Sequence, residues 1–168
     1  MYRPDIPRTG IGYDVHRLVV GRRCVLGGVA IPFERGLEGH SDADVVLHAL
    51  ADALLGAAAL GDIGRHFPPT DPAWKDMDSR EIARAAVGKL AELGMEPIHA
   101  DITVIAEAPR INPHLDAMQR SIGACLSLPP ETISIKATTN ERMGFVGREE
   151  GIAAIAVATI AAKIDEAS

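Results

Sequence analysis

A chain of 168 residues and 17.8 kDa has room for one domain of ordinary size. Apolar residues make up 47% of it but aromatics only 4%, so the core must be built from Ala, Val, Ile and Leu. Seventeen basic against 23 acidic side chains leave a net charge of −6, which argues against a general nucleic-acid-binding face.

Cys24 and Cys125 lie far apart and form no C-x-x-C pair, which fits buried free thiols in a reducing compartment. No apolar run is long enough to span a bilayer. The first residues have no hydrophobic signal core. A cytoplasmic protein without membrane contact is the expectation. Residues 1–9 carry two prolines and read as a short flexible extension, leaving 10–168 as one domain.

Residues 10–19 and 24–32 read as early strands, with Gly27-Gly28 as a turn or bulge within the second. A helix is expected over residues 42–60, ended by Gly61. Asp78, with Glu81 three positions on, resembles a capping box opening a helix that ends at Gly94. Ile98, Ala100, Ile102, Val104 and Ala106 alternate with polar positions, the pattern of a half-buried strand. Asn112-Pro113 pairs a cap with a proline at the first helical position, opening a helix to Leu126. Residues 132–139 read as a strand. In residues 152–163 alanine favours helix and the β-branched residues favour a buried strand, so composition leaves that segment open. Mixed strands and helices without a repeat or linker fit an α+β two-layer sandwich, a mixed sheet with helices on one face.

Asp14 and His16 are two apart, so in a strand they share a face. His48 lies inside the expected helix, with Asp44 and Asp52 four residues to either side. Three N/O ligands with an open fourth position have the form of a catalytic zinc site. Asp52 reads equally as a partner of His48 or as an exposed helix acid. Asp42 and Asp44 look metal-like too, but fit a cap and a bond to nearby backbone. His40-Ser41 reads as a helix start, where anions are favoured.

The segment Y-D-V-H-R-L, followed by G-G-V-A-I-P-F-E-R-G-L-E-G-H-S-D-A-D-V-V-L-H-A-L-A-D-A-L-L-G, closely resembles the 2-C-methyl-D-erythritol 2,4-cyclodiphosphate synthase family. Phe67-Pro68-Pro69-Thr70-Asp71-Pro72, Asp101 to Arg110 and Ala137 to Arg148 are similar to the family's later motifs, in its order and at its spacing. The resemblance runs from Gly10 into the C-terminal apolar stretch and turns 152–163 toward strand.

The resemblance implies a lyase of the non-mevalonate isoprenoid pathway that takes 4-diphosphocytidyl-2-C-methyl-D-erythritol 2-phosphate to the 2,4-cyclodiphosphate and CMP. It implies Zn²⁺ at Asp14, His16 and His48, and Mg²⁺ or Mn²⁺ at Glu141 and the substrate phosphates. His40 and Thr139 match catalytic positions, and Ser41 another contact to the phosphates. Asp62, Ile63 and Gly64 match the part that receives methylerythritol, and Phe67 and Asp71, in the family's loop, match further substrate-binding positions. Ala106, Pro109, Arg110, Ile111 and Asn112 match the turn that holds cytidine. Ala137, Thr138, Asn140, Phe145 and Arg148 match further substrate contacts. The family is a homotrimer with shared active sites, and Arg148 and Glu150 also resemble residues facing an axial cavity that could take an isoprenoid diphosphate. Glu149 departs from the pattern, standing where the family has glycine in G-R-G-E-G. His66, His99 and His114 match no catalytic position.

Two rivals are weaker. A zinc phosphohydrolase would need a general base beside the open position, and the Thr138-Thr139 segment offers none. A non-catalytic isoprenoid-diphosphate or nucleotide-binding protein on the same fold would have no need of Asp14, His16 and His48, all of which are present.

Overall fold

The alternation in the first strand divides the molecule into a helix side and an open side. The computed structural model describes residues 6–68 and 77–163. Strand β1 (Arg8–Val20) lies antiparallel to β4 (Arg35–Leu37) and to β7 (Gly151–Ala162). β7 in turn pairs antiparallel with β5 (Met95–Ile105), and β5 pairs parallel with β6 (Ile133–Thr138). The order is β4-β1-β7-β5-β6, a mixed sheet. The alanine-rich C-terminal segment is thus a strand, and β1 begins at Arg8, opposite Ile160, two residues before the expected start.

Helices α1 (Val45–Ala57), α3 (Ser79–Glu92) and α4 (Leu115–Leu126) pack against this sheet. Ile152, Ala154, Ala156, Ala158 and Ile160 of β7 are buried beneath them. Small residues let α1 lie close to β1. A Cβ on Gly12 would stand 1.9 Å from the Ala49 carbonyl oxygen, and one on Gly10 2.1 Å from that of Ala53. On the opposite face Ile11, Tyr13 and Val15 remain 70%, 53% and 40% exposed. Among the described residues no helix is long and apolar enough to cross a membrane.

Several expectations shift. Residues 24–32 form a hairpin of β2 (Cys24–Leu26) and β3 (Val29–Ile31), with Gly27-Gly28 as its turn. The helix expected over 42–60 is shorter at both ends. Asp44, not Asp42, caps it, accepting from the Val46 and Leu47 N–H groups. It ends before Ala59, whose φ of 60° leaves helical geometry ahead of Gly61. In β5 a register shift between Pro97 and His99 turns Ile98 outward, 38% exposed, although simple alternation places it in the core. Such a bulge exchanges the faces of the residues before and after it. Asp78 caps α3 through the Arg80 N–H, but Glu81 pairs with Arg84, so the capping box is half closed. Asn112-Pro113 opens a 3₁₀ turn, Asn112–His114, ahead of α4, with no side-chain cap bond.

Candidate metal and nucleotide site

Asp14 and His16 come up from β1 on the helix side, and His48 comes down from the first turn of α1. Their donor atoms converge. His16 Nε2 lies 3.2 Å from Asp14 Oδ2 and 3.3 Å from His48 Nδ1, and His48 Nδ1 lies 3.1 Å from Asp14 Oδ2. A tetrahedral zinc site with bonds of about 2.0–2.1 Å has donor–donor edges of about 3.3–3.4 Å. The triangle therefore already has the size of a zinc face, and one carboxylate with two imidazoles is a donor set that zinc accepts.

The other ring nitrogens are held as well. His16 Nδ1 lies 2.6 Å from the Glu38 carbonyl oxygen, which can only accept, so Nδ1 carries a proton and Nε2 is the nitrogen turned to the triangle, available to a metal once the ring is neutral. Burial disfavours ionisation of Asp14. Hydrogen bonds from His16 and His48, together with their charge, outweigh it and hold the carboxyl well below the usual carboxylate range. Burial likewise works against a charged His16, but the Asp14 carboxylate and the Glu38 carbonyl overcome it and raise its pKa.

A cavity of about 250 Å³ opens over this triangle, lined also by His40, Ser41, Ile63, Gly64, Phe67 and Ile82. Ser41 Oγ accepts from the Ala43 N–H at 3.1 Å, and Arg22 donates to the Ser41 carbonyl at 2.6 Å. Ile63 and Gly64 belong to a short helix, α2 (Ile63–His66), capped by Asp62 through the Arg65 N–H. Asp52 neither reaches His48 nor stands exposed. It is half-buried and accepts from the Ile63 N–H at 2.7 Å, so it anchors α2 beside the cavity. Asp44 is fully buried and accepts from Gly27, Gly28, Val46 and Leu47, which makes it structural. His66 Nε2 is hydrogen-bonded to the Leu60 carbonyl. Asp71, with Thr70 and Trp74, lies outside the described residues.

A second cavity, of about 320 Å³, gathers the expected cytidine turn and the late segment. Ala106, Pro109, Arg110, Ile111 and Asn112 face Ala137, Thr138 and Thr139 across it. The Ala108–Pro109 bond is cis. Glu107, which the motif reading passes over, joins the two walls: its Oε1 accepts from the Asn140 and Arg142 N–H groups at 3.0 and 2.9 Å. Those bonds fix the turn in which Glu141 and Arg142 take φ values of 50° and 59°. Glu141 is exposed there, 3.4 Å from the Thr139 hydroxyl, an arrangement that suits a cation held by one carboxylate plus phosphates and water.

The two cavities are separate. Two strands lie between β1 and β6, so at about 4.8 Å per strand they stand about 14 Å apart across the sheet. They share one end of it, since His16 pairs with Ile152 while Ile105, between Ala153 and Thr138, marks the same level. Phe145 and Arg148 line neither cavity. Phe145 lies in the short α5 (Gly144–Gly147), and Arg148 follows it, ion-paired with Glu150 at 2.8 Å on the surface. Glu149 has φ 55°, which accounts for glycine in the family pattern; here Arg35 of β4 holds it, with 2.5 Å to its carboxylate and 3.1 Å to its carbonyl.

Residues 7–161 match the YgbB family. The chain is 68% identical over 154 residues to a protein of Symbiobacterium thermophilum named 2-C-methyl-D-erythritol 2,4-cyclodiphosphate synthase, covering 92% of this chain and 98% of that one. Among solved structures, the bifunctional IspDF of Campylobacter jejuni superposes with a TM-score of 0.89 at 43% identity, over 92% of this chain and 42% of that longer one. A CDP-bound form of 2C-methyl-D-erythritol-2,4-cyclodiphosphate synthase superposes with a TM-score of 0.84 at 36% identity, over 91% of this chain and 99% of that one. With nearly its whole length matched in sequence and in fold, the chain belongs to the YgbB family.

Proposed function

We propose that the chain converts 4-diphosphocytidyl-2-C-methyl-D-erythritol 2-phosphate to 2-C-methyl-D-erythritol 2,4-cyclodiphosphate and CMP, as a phosphorus–oxygen lyase of non-mevalonate isoprenoid synthesis. The observation that carries the reading is the Asp14–His16–His48 triangle of zinc dimensions at the floor of a cavity, in a chain so close to a protein named for this reaction. The substrate's 2-phosphate attacks its own β-phosphate, a P–O bond forms, and the bond to CMP breaks. Because the nucleophile is part of the substrate, the protein needs no catalytic Ser, Cys or Lys. Its work is positioning and charge neutralisation.

Asp14, His16 and His48 would hold Zn²⁺ and Glu141 would hold Mg²⁺ or Mn²⁺, supplying Lewis acidity and a template for the phosphate oxygens. His40 and Ser41 border the same cavity and bind phosphate. Ile63, Gly64 and Phe67 enclose the methylerythritol carbons, and Asp62 and Asp71 take its hydroxyls. Pro109 to Asn112 with Ala106, Ala137 and Thr138 receive cytidine. The Thr139 hydroxyl donates to charge that grows on the transferring phosphate, beside Asn140 and Glu141. Phe145 and Arg148 act at the margin of the site.

About 14 Å between the zinc triangle and the nucleotide turn, both at one end of the sheet, favours sites shared between subunits of a homotrimer, with the exposed Ile11–Tyr13–Val15 face packed inside. In that assembly Arg148 and Glu150 border an axial cavity suited to an isoprenoid diphosphate. The two buried free thiols fit a reducing cytoplasm.

The test is a reaction in ¹⁸O-labelled water with product analysis. Intramolecular transfer gives cyclodiphosphate and CMP in equal amounts with label in neither. Label in a released phosphate would identify a hydrolase instead.

A further inference from the structure

We infer that Ser79 and Asp42 are positioning residues that fix the ring of His48 for metal binding. Neither faces the metal position. Ser79 is the first residue of α3 and fully buried. Its hydroxyl lies 2.9 Å from His48 Nε2 and is hydrogen-bonded to Asp42 Oδ1. Asp42 Oδ2 also accepts from the Ser79 backbone N–H at 3.2 Å, and the Asp42 N–H donates to the Met77 carbonyl at 3.1 Å. Two segments far apart in sequence are thereby joined behind one imidazole.

The proton count assigns the direction of each bond. An ionised carboxylate only accepts, whereas a hydroxyl donates once and accepts through its lone pairs. Ser79 therefore gives its proton to Asp42 and can only accept from His48. Nε2 must carry a ring hydrogen, so Nδ1, which faces Asp14 Oδ2 at 3.1 Å, is the nitrogen that gives up its hydrogen to a metal and turns its lone pair into the triangle. This is the outer-sphere arrangement that orients ligating histidines, with a serine interposed between carboxylate and ring. It parallels the Glu38 carbonyl behind His16, so both histidines are held from outside the triangle.

A second consequence concerns Ser41, whose Oγ lies 3.2 Å from the same Nε2. With hydrogen already on Nε2, Ser41 cannot donate there. Its own proton is left for the cavity, where a phosphate oxygen can accept it.

This inference rests on the proposed metal assignment, and the test separates the two. Zinc affinity is measured by chelator competition for the parent, Ser79→Ala and Asp14→Ala, with folding checked by thermal melting. The His48 ring is followed by ¹⁵N NMR in the zinc-loaded parent and Ser79→Ala. Ser79→Ala should bind zinc about 10–100-fold more weakly, and its His48 Nε2–H should exchange with solvent faster than in the parent. Unchanged zinc affinity in folded Ser79→Ala, with zinc lost in Asp14→Ala, would overturn the positioning role and leave the metal site standing. Zinc retained by Asp14→Ala would overturn both. The parent spectrum is decisive by itself if Ser79→Ala does not fold: a protonated Nδ1 on His48 excludes the proposed arrangement.

Discussion

His48 is buried, and its Nδ1 is one of three donor atoms of the candidate zinc site. His48→Ala removes that donor and leaves two, too few for a tight tetrahedral site. The variant should retain its fold, lose stoichiometric zinc and make no detectable cyclodiphosphate; near-parent turnover would end the zinc assignment. Thr139 is a different case, because its hydroxyl is proposed to meet charge that develops during transfer. Thr139→Ala should lower kcat by about 10²-fold or more while leaving CMP affinity within a few-fold. Parallel losses in both would reduce Thr139 to a ground-state contact. The Asp14–His16 pair also makes stability of the metal-free chain depend on pH. Asp14 is depressed below 3.8, so its contribution is complete above that value and lost as pH falls through the lowered pKa. His16 is raised above 6.5, so its contribution is complete below that value and lost as pH rises through the raised pKa. The Tm advantage of the chelator-treated parent over Asp14→Asn should therefore be greatest between about pH 4 and 6.5 and shrink toward pH 8.5. An advantage that grows with pH across that range would contradict the pairing.

Among the elements, the hairpin β2–β3 and helix α1 are fastened together by one carboxylate. Asp44 accepts two N–H groups from the Gly27-Gly28 turn and two from the first turn of α1, with no exposure to water. Asp44→Ala loses a helix cap and strands buried donors, a cost of about 2–4 kcal/mol. At this chain length that corresponds to a Tm lower by about 5–15 °C, read by calorimetry; a shift under about 2 °C would show that water replaces the carboxylate easily. The same residue illustrates what the sequence makes legible. D-A-D before an apolar run announces a helix start, but which aspartate caps it depends on a hairpin nearly twenty residues upstream. Asp14 and His16 could be placed on one face because strand alternation is local. Ile98 escapes that alternation because a bulge is decided by pairing with β7. Ser79, Asp42 and Glu107 carry no local signal for their site roles, since each acts on a group brought near only by the fold. The C-terminal strand required the family resemblance, because alanine suits helix in isolation and strand only where α1 packs so closely that little else fits.

At the scale of the molecule, one face of the sheet is covered by helices and the other is bare, apolar over β1 and β7 and bordered by the Asp101–Lys136 ion pair of β5 and β6. Ile11 and Tyr13 of β1 sit opposite Val157 and Ile155 of β7, forming a patch with little charge at its centre. Exposed apolar patches of this kind mark interfaces, and the separation of the two cavities would give the proposed interface a purpose. In the proposed cyclic trimer the zinc triangle of one subunit would stand against the nucleotide turn of the next, making three complete sites from six half-sites. Sedimentation should give about three times 17.8 kDa. Ile11→Asp should yield a folded, inactive monomer. Complementation tests the sharing itself: His48→Ala retains its nucleotide turn, and Arg110→Ala retains its zinc triangle. After random subunit exchange, roughly a quarter of the sites in a cyclic assembly join two intact halves, so two inactive preparations should regain activity toward that fraction of the parent's. If proven exchange restores none, each subunit contains its whole site, and the bare sheet face must be explained by assembly alone.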